Sequence, residues 1–255
     1  MIWRLFIVGL VLPLAAQAED TAISLVKTGI VEFTAAYDAW DAAQFAQAAG
    51  TFAQACAKQP GAGTNYYWKG VAEFHRLLQL HGAPESPTNR VQTTVALKTV
   101  LDTLTTAVKL DGCNAENHAL LGTVYGMSIA ENPLRAMWLG PRVMNEQEKS
   151  LQFGATNPRV QYLLGMSHYH APKMWGGKTE ALACLLKAEK LFTAEAEQPA
   201  GPVAPRWGRS NCLAFIGKTY DALGKPVEAE QYFRKALAVN PHDKLAREEL
   251  EKRKK

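Results

Sequence analysis

The stretch from Asn211 to Pro241 reads NCLAFIGKTYDALGKPVEAEQYFRKALAVNP. Leu213 is followed three residues on by Ile216-Gly217, and Tyr220 stands three beyond that glycine. Gly224 marks a turn, after which Ala229, Phe233 and Ala236 share one face of a second helix. Pro241 cannot continue that helix and ends the unit. Each residue type has a physical role. A glycine on the first helix removes the side chain that would hold the second helix away, and the alanines do the same from the other side. The aromatics fill the space left between hairpins. The pattern predicts two antiparallel helices that need neighbours to bury their apolar face.

The same spacings recur toward the N-terminus. Ala48, Phe52, Ala55 and Pro60 repeat the second half, while His118, Leu121, Gly122 and Tyr125 repeat the first. Gln161, Leu164 and Gly165 repeat it again, followed by Ala181, Leu185 and Ala188. Val100, Leu104, Ala107 and Gly112 are a degenerate copy. With this set the chain resembles tetratricopeptide-repeat proteins. The resemblance implies an all-α solenoid of about four to five helical hairpins plus a C-terminal capping helix. The expected units are an entry helix with a first hairpin at 22–58, then hairpins at 64–110, 115–156, 157–195 and 208–240, and a charged cap at 242–254. HGAPESPTNR at 81–90 reads as a long connector, ENPLRAMWLGPRVMN at 131–145 as an irregular middle, and EQPAGPVAP at 197–205 as a Pro/Gly loop.

The resemblance narrows at three places. Asn157-Pro158 opens a helix, Pro172 to Gly177 forms a Pro-x-x-aromatic-Gly-Gly bulge, and Trp207-Gly208 opens the last repeat. These are similar to features of exported bacterial tetratricopeptide proteins of uncertain function. The architecture is also similar to the periplasmic tetratricopeptide component of some solute transporters.

The N-terminus supports export. One positive charge in MIWR precedes the apolar run LFIVGLVLPLAA, and Ala16-Gln17-Ala18 follows. This is the pattern of a cleavable signal peptide over 1–18, leaving a single domain at 19–255 in the periplasm. A twelve-residue run is too short to span a bilayer, so the protein is not expected to be membrane-embedded. The net charge is +4, with both signs interspersed, and no concentrated basic face points to nucleic acid. Cys56, Cys113, Cys184 and Cys212 form no C-x-x-C and allow three pairings, one of them with a Cys184–Cys212 bridge.

His168 and His170 form the most conspicuous candidate for a metal site. His168 stands three after Gly165, where the clean repeat has its hairpin-filling tyrosine, so a packed role is expected. Two residues on a helix lie about 200° apart, and no acidic or thiol partner is adjacent, so no metal and no cofactor are expected. Pro172 disfavours helix at Ala171, which predicts that the helix ends there. No nucleophile elbow, phosphate loop or H-E-x-x-H is present, and the protein is expected not to be an enzyme.

A binding stripe is nevertheless legible. Arg159, Tyr162, Met166 and Tyr169 follow one another at spacings of 3, 4 and 3. The same register gives Tyr67, Val71 and Phe74 in the second repeat and Ala214, Lys218 and Asp221 in the fifth. The tetratricopeptide resemblance implies that this face lines a concave groove. Tyr67, Phe74, Arg159, Tyr162, Met166, Tyr169 and Lys218 are therefore the candidate contacts. They suit a protein or peptide partner, or a small apolar ligand carrying a carboxylate. The expected function is a scaffold or adaptor. The alternatives are a ligand-binding or transporter accessory protein with an apolar channel, and a stripe that simply packs as core.

Overall fold

Helix starts in this chain are written by their caps. In the computed structural model Asp41, Ser86, Asn114, Asn157 and Asp243 each accept a first-turn amide hydrogen bond, at Gln44, Asn89, Glu116, Arg159 and Ala246. Pro87, Pro158 and Pro226 occupy first-turn positions where no amide donor is lost. The structure describes the backbone of residues 8–171 and 177–254, and side chains from residue 19 onward within that range. The expected signal peptide lies largely outside these residues, as does the bulge at 172–176 with Met174 and Trp175.

The helices are α1 (Val8–Ala39), α2 (Ala42–Lys58), α3 (Gly63–His81), α4 (Pro87–Leu110), α5 (Ala115–Glu131), α6 (Ala136–Gly154), α7 (Pro158–His170), α8 (Lys178–Ala196), α9 (Arg209–Ala222), α10 (Pro226–Val239) and α11 (Lys244–Lys252). Consecutive helices pair into five hairpins, and α11 packs on the last. The expected all-α hairpin solenoid with a capping helix is what forms.

Two expectations about connectors are corrected. Ser86-Pro87 is a cap followed by a first-turn proline, so α4 begins there and only Gly82–Ser86 remains between the helices. The segment 131–145 is mostly helical. Asn132 caps a short 3-10 turn at Pro133–Arg135, and α6 then runs through Pro141. Pro141 is exposed, where a missing amide bond is tolerated at the surface.

The glycine reading accounts for the hairpin contacts. A Cβ at Gly217 would lie 2.8 Å from the Phe233 ring and 3.0 Å from the Ala229 carbonyl oxygen. One at Gly165 would lie 2.6 Å from Leu185. Gly29 and Gly70 do the same work in the first two hairpins, against Phe52 at 2.6 Å and Leu104 at 2.5 Å. Ala48, Ala55, Ala107, Ala181, Ala188, Ala229 and Ala236 are fully buried on the partner helices.

The third hairpin departs from this chemistry. Beside Gly122 stands Glu146 where the other hairpins carry Phe or Leu. Its carboxylate meets His118 Nδ1 at 2.5 Å, and His118 Nε2 donates to the Gly112 carbonyl at 2.9 Å. Burial disfavours charge on the His118 imidazole, but the Glu146 and Gly112 hydrogen bonds outweigh it and raise its pKa. A buried ion pair thus replaces an apolar contact.

The helix at His168 and His170 ends as expected, with Ala171 extended at φ −68°, ψ 149°. All four cysteines are free thiols, so the Cys184–Cys212 bridge is absent: Cys212 Sγ instead faces the Leu185 carbonyl at 3.6 Å. No helix among the described residues is long and apolar enough to cross a membrane.

Candidate functional site

The sequence-predicted stripe is brought together, but largely inside the molecule. Phe74 is fully buried, and Tyr67, Arg159, Tyr162 and Met166 are at most 6% exposed. This corrects the expectation of an open groove at these five positions. Two pieces of chain fill the space. The segment after α8 crosses to α3, where Trp68 Nε1 donates to the Val203 carbonyl at 3.1 Å and Trp207 Nε1 to the Tyr67 hydroxyl at 3.0 Å. From the other end, the Tyr37 hydroxyl of α1 donates to Asn211 Oδ1 of α9. Asn211 and Ser210 in turn donate to Asp243.

Arg159 is the hub. It donates from Nε to Glu116 Oε1 at 2.8 Å, from Nη1 to Glu195 Oε2 at 3.0 Å, and from Nη2 to the other Glu195 oxygen. Nη1 also reaches the Trp207 carbonyl at 3.4 Å. Asn157 donates to Glu116 Oε1 at 2.8 Å, and the Tyr67 hydroxyl donates to Glu116 Oε2. Burial opposes the Arg159 charge, but the two carboxylates more than restore it. The guanidinium is therefore spent on the protein's own glutamates and is not a free contact for a ligand carboxylate. Gly208, at φ +103°, lets the backbone pass Arg159 and Phe192, which explains the Trp207-Gly208 pair.

Sequence reasoning misses the glutamates. Glu116 and Arg159 both stand two residues after a capping asparagine and six before the hairpin glycine, so adjacent repeats place opposite charges in the same register. That signal is present in Asn114-Ala115-Glu116 and Asn157-Pro158-Arg159. A cleft of about 930 Å³ opens beside this network, lined by residues that include Trp68, Glu116, Phe153, Asn157, Glu195 and Pro205.

Accessible apolar surface lies on the outer layer instead. Met137 is 78% exposed, Trp138 65% and Met144 66%, with Leu151 and Phe153 further along α6. Met137, Met144 and Leu151 are seven apart and share a face. Below Met144 and Leu151 a groove of about 600 Å³ separates α6 from α8, with Leu164 and His168 of α7 in its lining and Ala183, Cys184 and Lys187 across it. His168 thus opens onto this groove, while His170 packs 5.0 Å from Tyr169 on another face. Among the described residues no cluster of three His, Cys, Asp or Glu side chains could hold a metal. Tyr169 and Lys218, the remaining two predicted residues, are half-buried beside Phe215.

No family model matches this chain, and no curated protein matches it. Solved structures do. A thermophilic tetratricopeptide-repeat protein from Thermus thermophilus superposes with a TM-score of 0.61 at 15% identity, covering 89% of this chain and 95% of the other. The HusA haemophore from Porphyromonas gingivalis superposes with a TM-score of 0.61 at 19% identity, covering 78% of this chain and 92% of the other. At these identities the likeness establishes the fold, and the fold is that of a tetratricopeptide-repeat array.

Proposed function

We propose that this protein is an exported, non-enzymatic scaffold that holds a partner protein against the α6–α8 groove. The observation that carries the reading is the exposed apolar stripe of α6. Single exposed apolar residues are ordinary, but Met137, Trp138, Met144 and Leu151 on one helix, continuous with a groove, are not. Such a surface fits the apolar face of a partner helix, with anchors one to two turns apart. Glu148 and Lys187 line the groove and offer opposite charges to fix the helix direction. Export rests on the leader-like 1–18 segment, and the absence of catalytic motifs supports a binding role.

The test places a photo-crosslinking residue at Met144 in protein expressed in a bacterial periplasm, with Glu230 on α10 as control site. We expect one discrete polypeptide adduct at Met144 and none at Glu230, with the probe-carrying chain itself starting at or near Glu19. With the probe kept at Met144, Met137→Glu with Leu151→Glu should remove the adduct without lowering Tm. Loss of two apolar anchors corresponds to about 2 kcal/mol or more, or roughly thirtyfold in affinity. An adduct that survives the double substitution sinks the proposal, as does one made only to a second copy of this chain.

A further inference from the structure

Tyr169, His170, Phe215, Lys178 and Lys218 meet where the end of α7 faces α8 and α9. The Lys178 ammonium sits 3.4 Å from the Tyr169 ring centroid and donates to the Tyr169 carbonyl. The Lys218 ammonium lies 5.2 Å from the same centroid and 5.3 Å from that of Phe215. The two rings meet edge-on at 5.7 Å, and the His170 ring stands 5.0 Å from Tyr169 and 6.2 Å from Phe215. Two cations therefore neighbour one aromatic ring.

Among the described residues, neither ammonium has a carboxylate within ion-pair distance, whereas Lys69, Lys235, Lys244 and Lys252 each have one. The nearest acids are already engaged. Asp221 is held by Arg253, and Glu249 by Lys252 and Arg253. Asp221 and Glu249 are thus spoken for, and His81 adds a further imidazole from α3. Burial and the neighbouring Lys218 lower the pKa of Lys178, and burial lowers that of Lys218 despite Glu249. Partial desolvation and then both lysines lower the pKa of the His170 imidazole, which stays open to solvent on one side.

We infer that this cluster is a binding site for a small aromatic carboxylic acid. A carboxylate between the two ammonium groups would supply the anion that neither has, and the fixed rings of Tyr169 and Phe215 give a flat apolar partner for the body of the ligand. The site is separate from the α6–α8 groove, so it stands or falls independently of the partner proposed there.

Calorimetric titration of the full chain with 2-naphthoate tests this, with the uncharged 2-naphthamide as comparison. We expect saturable, equimolar binding of the acid with a Kd of about 1 mM or below, and at least about tenfold weaker binding of the amide. Lys178→Met with Lys218→Met should weaken the acid to the level of the amide while leaving Tm unchanged. NMR of the His170 imidazole should report the acid and not respond in the double variant. Equal affinity for acid and amide overturns the inference, as does undiminished binding to the double variant. Tighter competition by a peptide with a free C-terminus than by its amidated form would assign the site to a chain terminus and overturn the small-acid reading.

Discussion

Arg159→Leu will destabilise the protein by about 3–5 kcal/mol, the usual loss when one member of a buried charge network is removed. Leucine fills much of the volume but leaves Glu116 with a buried carboxylate facing only Tyr67 and Asn157. It also releases Glu195 and the Trp207 carbonyl, so the segment that crosses to α3 loses an anchor. Arg159→Lys should recover only part, because an ammonium cannot fork between two carboxylates. Adding Glu116→Gln to Arg159→Leu should restore stability relative to the single variant. Urea unfolding of Arg159→Leu, Glu116→Gln and the double variant decides it: additive losses at Glu116 and Arg159 would show that the pair is not coupled.

Tyr162→Ala will cost about 3–5 kcal/mol, on the scale of aromatic-to-alanine changes in a packed core. The ring is 3% exposed and meets Phe215 edge-on at 6.3 Å. Burial first, and then Tyr37, Cys212 and Asp243 nearby, push its phenol well above the ordinary range. Those neighbours come from α1, α9 and the α11 cap, so the cavity would open where three elements converge. The α6–α8 groove is built without Tyr162, and the fraction of the variant that remains folded should capture the α6 partner unaltered. A melting temperature equal to wild type would show that the residue faces solvent.

The hairpins are legible because their chemistry is local. Gly217, Ala229 and Phe233 announce a helix pair within a few turns. Gly29 and Gly70 carry a similar local signal, since Gly-Ile-Val-Glu-Phe at 29–33 and Gly-Val-Ala-Glu-Phe at 70–74 are near copies. The burial of the stripe is not readable, because it depends on what arrives from far along the chain. Arg159 presents the same periodicity whether it lines a groove or faces Glu195. Reading proline as a break overestimates the connectors, because proline stands instead at a helix start, as at Pro87, or on an exposed helix face, as at Pro141. The α6 stripe is obscured for the same reason, since its residues fall in a segment whose prolines suggest irregular chain.

The hydrogen bond from Trp68 to Val203 joins residues 135 apart in sequence, and Tyr37 reaches Asn211 across 174. An open repeat array folds as a one-dimensional chain of nearest neighbours and can fray from either end. Here the ends are stitched to each other, so neither terminal hairpin is complete until the other has arrived. Such long-range closure raises contact order and should slow folding while making unfolding a single cooperative event. Tryptophan fluorescence and far-ultraviolet circular dichroism would then trace one superimposable urea transition, and separated midpoints would show repeats that melt in sequence.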